Sequence, residues 1–273
     1  MSKPFVSALA GQLEGDARAS VARKRTENME AYDFLLRGIH LARALDPHSA
    51  SAALAAFKKA LALDPEYALA LAWSALMKLR LRAWVSDAYD SEEMVAPARK
   101  ALAIDPSESW CHLVYGQIMM YLGQLVEAEQ HHQRAYELNP FDAHVMALRA
   151  PLSVYLGKPA EGERWARRAM QLNPLHPDWY VTNLGLALYC LRQYERAVQT
   201  YLKIAEPQVG VLAGLAASYA QLGDVAGAKA TRDRLLELAP GFSTRRFLGS
   251  KPFLHADDQA HLRHGLERAG LPS

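Results

Sequence analysis

"YLGQLVEAEQHHQRAYELNP" at residues 121–140 is answered by "YLGKPAEGERWARRAMQLNP" at residues 155–174, and this near-repetition decides the fold. Pro106, Pro140 and Pro174 stand 34 residues apart, as do Ala101, Ala135 and Ala169. Each proline follows an acid or an amide: Asp105, Asn139, Asn173. A residue ahead of proline is pushed out of the α region, so each of these pairs ends a helix. Gly123 and Gly157 mark an earlier stop, since a left-handed residue commonly closes a helix. Two helices per 34 residues, repeated, is the signature of a solenoid of helix–turn–helix units.

The pattern extends both ways from this stretch. The third pair covers residues 107–140 and the fourth 141–174. Gly116 and Ala150 in the first helices, with Ala128 and Gly162 in the second, are the small residues where two helices approach. Upstream, a first pair occupies residues 29–63. Ala31, Leu35, Gly38 and Leu41 make one inner stripe, and Ala53, Phe57 and Ala60 the other. Pro47 breaks the chain between them, and Ser49 or Ser51 caps the second helix. The second pair, residues 66–106, is seven longer than the period. Its excess lies in "LRAWVSDAYDSEE", where Trp84 and Tyr89 stand out. Two readings stay open there, a functional insertion loop and a longer first helix.

Downstream, the fifth pair carries Leu184, Gly185 and Leu188, then Tyr194, Ala197 and Tyr201. Arg192 or Gln193 replaces its turn glycine. The sixth has Leu215, Ala216, Tyr219, Gly223, Ala228 and Pro240. A further helix is expected over residues 4–24, where Phe5, Leu9 and Leu13 recur and Arg23, Lys24 and Arg25 suit a carboxyl end. Another is expected over 257–270, capped by Asp257 or Asp258, stopped by Gly270, and covering the open end of the array. The chain thus reads as all-α, a right-handed superhelical solenoid of about six helix pairs. Residues 1–27 form an N-terminal linker or capping helix, 28–240 the solenoid, and 241–273 a C-terminal capping segment.

Bulk properties exclude several functions. Lys plus Arg (31) nearly cancels Asp plus Glu (29), leaving a net charge of +2. That balance gives no electrostatic case for nucleic acid or for an anionic membrane. Cys111 and Cys190 form no Cys-x-x-Cys pair and read as buried thiols of a reducing compartment. No apolar run approaches the ~18 residues of a membrane span. The expectation is a soluble, cytoplasmic chain.

The search for chemistry returns little. Glycines are dispersed singly, without a phosphate-binding loop, and there is no Gly-x-Ser-x-Gly elbow. His131 and His132 are adjacent on a helix, so they point about 100° apart. His261 and His264, with Asp257 one turn back, are better read as a solvated capping face than as a metal clip. Glu127, Glu129 and Glu163 with Arg164, Arg167 and Arg168 read as surface pairs. We expect no catalytic residues, no metal and no cofactor.

The 34-residue period, the paired small residues and the closing prolines resemble the tetratricopeptide repeat (TPR) family. Its members receive an extended or helical peptide in the concave groove lined by the first helix of each pair. By this resemblance the groove residues are Trp110, Leu113, Gln117 and Tyr121; His144, Val154 and Tyr155; and Asp178, Val181 and Tyr189. Tyr121, Tyr155 and Tyr189 are again 34 apart, a ladder of rings with polar tips suited to anchoring a partner. The Lys/Asn pairs with which some TPR modules clamp a terminal carboxylate are missing, which argues against chaperone-tail binding.

"ENMEAYDFLLRGIHLAR", "ALALDPEYALALAWSAL" and the ending "LRHGLERAGLPS" further resemble the TPR halves of bacterial multidomain proteins. Those carry a class III adenylate or guanylate cyclase domain, or a winged-helix domain, ahead of the repeats, often followed by a TolB-like segment. The resemblance implies a non-catalytic interaction scaffold, or alternatively a regulatory half separated from its effector. The implied partner is a protein or peptide, and self-association is expected to involve the N-terminal helix or the loop holding Trp84 and Tyr89.

Overall fold

The computed structural model describes residues 26–44, 46–85 and 90–273, without the side chains of 83–85. The helix expected at 4–24, Tyr89 and the side chain of Trp84 lie outside the described residues. All described elements are helices: α1 (Met29–Ala42), α2 (Pro47–Leu63), α3 (Ala68–Val85), α4 (Ser91–Ile104), α5 (Ser109–Tyr121), α6 (Leu125–Leu138), α7 (Ala143–Tyr155), α8 (Pro159–Leu172), α9 (Asp178–Cys190), α10 (Tyr194–Tyr201), α11 (Val209–Leu222), α12 (Val225–Leu238), α13 (Thr244–Gly249) and α14 (Ala256–Arg268). They divide into two compact units, the first ending at Phe141 and the second starting at Asp142. The first unit holds pairs α1/α2, α3/α4 and α5/α6. The second holds α7/α8, α9/α10 and α11/α12, followed by α13 and α14.

Within each pair, small residues let the helices close. At Gly38 a Cβ would clash with the Phe57 ring, and at Gly162 it would lie 2.8 Å from the Ala150 carbonyl. Phe57, Ala53 and Ala60 are fully buried behind Ala31 and Leu35, while Leu41 is half-buried and Ala42 takes the inner place. Second helices end alike: the amides of Asp64, Asp105, Asn139 and Asn173 donate to Ala60, Ala101, Ala135 and Ala169, four residues back. The repeating Ala–Pro frame of the sequence is therefore a repeating helix terminus.

First helices α5, α7, α9 and α11 end in Schellman motifs. The amides of Gly123 and Gln124 donate to Met120 and Met119, and those of Gly157 and Lys158 to Val154 and Ser153. The left-handed residue is Gly123 (φ 78°), Gly157 (φ 75°) and Gly223 (φ 79°), but Arg192 (φ 59°) after α9. That settles which residue replaces the turn glycine.

Two local expectations need correction, and one open reading narrows. Asp46, not Ser49 or Ser51, caps α2: its carboxylate accepts the Ser49 amide at 2.9 Å, and Pro47 occupies the first helical turn, where its missing N–H costs nothing. The extra length of the second pair is at least partly helical, since α3 runs to Val85. Residues 244–249 form the short helix α13, which the sequence reading had not separated, and α14 starts at Ala256 with no side-chain cap.

Candidate functional site

In the first unit the first helices α1, α3 and α5 pack side by side. Ten of the thirteen residues of α5 are buried, so only a narrow strip of that helix remains for contact with a partner. Trp110 stays partly exposed at its start, stacked on Trp73 of α3 at 4.7 Å and 19°, and Trp73 in turn stacks on Phe57 at 5.9 Å. Tyr121 closes the helix and is 46% exposed. Burial pulls the Arg80 guanidinium down to about 10, opposed by the nearby Tyr121. Arg80 also donates to the Ala42 carbonyl at the end of α1 (2.8 Å), tying all three helices together. Leu113 is fully buried, and Gln117 is buried with its amide 3.1 Å from His132 Nε2. Both therefore leave the groove assignment: a first helix sandwiched by its own partner and its neighbours hides positions that a single stripe would expose.

The second unit departs further from the expected open groove. His144 sits at the start of α7, its Nδ1 3.0 Å from the Tyr180 hydroxyl and its ring edge-on to Trp179 at 5.6 Å. Asp178 is exposed at the start of α9, whereas Val154 and Val181 are core. Tyr155 and Tyr189, the two further rungs of the tyrosine ladder, are 4% and 1% exposed. They are covered by the chain's own C-terminal segment. Phe253 meets Tyr155 edge-on at 5.1 Å, and His261 stacks on Tyr189 at 4.8 Å and 20°. Helix α14 covers the array as a capping helix should, but it lies chiefly on the first helix α11 and reaches α9. It does not simply extend the array beyond α12.

No protein-family model matches the chain, and no curated protein matches it. Solved structures do. A tetratricopeptide repeat protein from Parabacteroides merdae aligns over 98% of this chain and 96% of its own, at 14% identity and TM-score 0.56. The fold is the tetratricopeptide repeat. PilW, a type IV pilus biogenesis factor, aligns over 79% of this chain and 96% of its own (17% identity, TM-score 0.60). The Cut9–Hcn1 hetero-tetramer of the APC/C covers 95% of this chain (16% identity, TM-score 0.65), with this chain spanning 47% of that one.

Two features of this TPR array escaped the sequence reading. One is the C-terminal segment on the first-helix face. The other is a histidine pair: His112 on α5 and His131 on α6 stand with their Nδ1 atoms 3.0 Å apart and their rings stacked at 5.1 Å. His112 Nε2 lies 3.0 Å from the Pro106 carbonyl, so it carries the proton, and His112 Nδ1 accepts from His131 Nδ1–H. Burial lowers both imidazoles; the Pro106 carbonyl raises His112 and Arg134 lowers it, while His112 lowers His131 and Glu127 raises it. Gly116 held the signal, because a Cβ there would touch His131 and His132 at the crossing. Among the described residues no cluster of three or more metal-ligating side chains occurs, and no helix is long and apolar enough to cross a membrane. Of the surface pairs, Arg167 and Glu163 meet at 2.8 Å, and Arg196 joins the same carboxylate at 2.7 Å.

Proposed function

We propose that this chain is a non-catalytic scaffold that binds a protein or peptide on the first-helix face of its repeats, with residues 28–240 as the binding array. The observation that carries the reading is the strip on α3 and α5: the Trp73–Trp110 stack, then the exposed Tyr121 beside the Arg80 guanidinium. Aromatic and arginine side chains of this kind concentrate binding energy, because they offer large rigid area and a fixed set of donors. The described similarity of the fold to an APC/C hetero-tetramer component supports a role in protein assembly.

The anchors assigned here are Trp110 and Tyr121 in the first unit, with His144 and Asp178 at the helix starts of the second. A peptide array probed with the full chain tests the reading. Bound sequences should be lost on Trp110→Ala or Tyr121→Ala while far-UV circular dichroism and the thermal midpoint stay near those of the unaltered chain. Binding indifferent to both substitutions would overturn it.

A further inference from the structure

Residues 251–265 cross the ends of three successive helix pairs in the second unit. The Leu254 amide donates to the Tyr155 carbonyl at 2.8 Å, one of the acceptors that a helix leaves free at its C-terminus. The His255 ring takes the space over Gly157, where a Cβ would come within 2.8 Å of its Nε2. The Tyr189 hydroxyl donates to the His261 carbonyl (3.1 Å), and the Tyr194 hydroxyl lies 2.9 Å from His261 Nε2. The Gln221 amide donates to the Tyr189 hydroxyl (3.3 Å) and to His264 Nδ1 (3.4 Å). Gly265 passes over the Tyr189 hydroxyl, with no room for a side chain. Leu262 and Leu266 supply the apolar anchor below.

This is how a helix-in-groove ligand binds: a buried apolar edge, ring contacts beside it and hydrogen bonds along the rim. Two residues of this groove, Tyr155 and Tyr189, are the rungs of the tyrosine ladder expected to bind a partner. We propose that the first-helix face of the second unit is a segment-binding groove, that residues 251–265 occupy it as a resident ligand, and that an incoming segment of the same chemistry binds there by displacing them. That chemistry is an aromatic residue followed by a helix with an imidazole and a glycine on one side. The inference rests on the scaffold reading above, but its groove is separate from the Trp110–Tyr121 strip.

Protonation favours release. Burial holds His261 below the ordinary imidazole value, Arg192 and His264 push the same way, and Asp258 opposes them. The neutral rings of Tyr189 and Tyr194 complete its surroundings. A released segment therefore takes up protons more readily than a docked one, and docking weakens as pH falls below about 6.5.

The test uses a labelled peptide of residues 250–271 and fluorescence anisotropy with the full chain. Tethering gives the resident segment a millimolar effective concentration, so the unaltered chain should bind the peptide weakly at pH 7.5. Gly265→Val in the chain, which evicts the resident helix, should tighten binding at least about tenfold. A peptide carrying Phe253→Ala and His261→Ala should not bind either chain. No gain with a folded Gly265→Val chain overturns the proposal. If that variant does not fold, native-state hydrogen exchange on the unaltered chain decides. Amides of Leu254 and α14 should then open together at lower free energy than those of α9 and α11, and faster at pH 5.5 after correction for intrinsic exchange. Opening only with the whole unit overturns it. Trp110→Ala leaves every one of these readouts unchanged, so a failure here is separable from a failure of the scaffold reading.

Discussion

Arg192 occupies the place that glycine fills after α5, α7 and α11. After α9 the Arg192 amide donates to Tyr189 (2.9 Å) and the Gln193 amide to Leu188 (3.0 Å), the same pair of bonds seen after α5, α7 and α11. The motif demands a left-handed residue, and Arg192 adopts φ 59° to make it. For an L-residue that conformation costs roughly 1–2 kcal/mol. Glycine escapes the cost but loses about 0.4–1 kcal/mol more conformational freedom on folding. The Arg192 side chain is exposed, with no hydrogen bond or ion pair among the described residues, so its loss removes only its electrostatic effect on His261, Tyr189 and Tyr194. Arg192→Gly should therefore stabilise the second unit by about 0.5–1 kcal/mol, the difference between those terms. In a chain of this size that raises the thermal midpoint by about 1–4 °C.

The reverse exchange supplies the control. Gly123 and Gly223 have nothing within 4 Å of a built Cβ, so alanine there meets no clash and isolates the backbone term. Gly123→Ala and Gly223→Ala should each lose about 0.5–1 kcal/mol by the same arithmetic. Calorimetry together with urea denaturation would measure all three, with unchanged urea slopes showing that only stability has moved. A lower midpoint for Arg192→Gly, or alanine variants that melt like the unaltered chain, would refute the assignment of strain to this residue.

Two further outcomes follow from buried polar groups. The Tyr67 hydroxyl is buried without a hydrogen-bond partner among the described residues, so Tyr67→Phe should be neutral or stabilising by up to about 1 kcal/mol in urea melts; a loss above that would mean the hydroxyl is satisfied in solution. His112 and His131 are both held below the ordinary imidazole value, chiefly by burial. The unfolded chain then binds more protons than the folded one, so their stabilisation is complete above about pH 6.5 and is lost as pH falls below it. The urea midpoint should drop between pH 7.5 and 5.5, and His131→Gln should narrow that drop; an equal drop in both proteins removes the pair as its source.

What the sequence makes legible is whatever recurs. Pro106, Pro140 and Pro174 mark equivalent helix ends, and Gly123, Gly157 and Gly223 equivalent turns, because the same backbone problem is solved at each repeat. Gly116 and Gly162 were readable for the same reason: each pair must bring two helix axes close, and only a small residue allows it. Solvent exposure along the tyrosine ladder does not recur. Tyr121, Tyr155 and Tyr189 hold one repeat position, yet Tyr121 is 46% exposed and the other two are covered.

The difference lies outside the repeats. Phe253 is 98 residues from Tyr155 in sequence, and His261 is 72 residues from Tyr189. Neither belongs to a periodic stretch, so no period reports the contact. Composition is equally silent, since "KPFLHADDQAHLRHG" reads as an ordinary polar helix with its lead-in. In a solenoid, periodicity reports what each repeat does to its neighbour, whereas function depends on what lies across several repeats at once. A crossing segment must therefore be found by asking which equivalent residues have unequal exposure. Here that comparison points to the second unit's first-helix face, where the polar-tipped rings that a ligand would use are already engaged by residues 253–265.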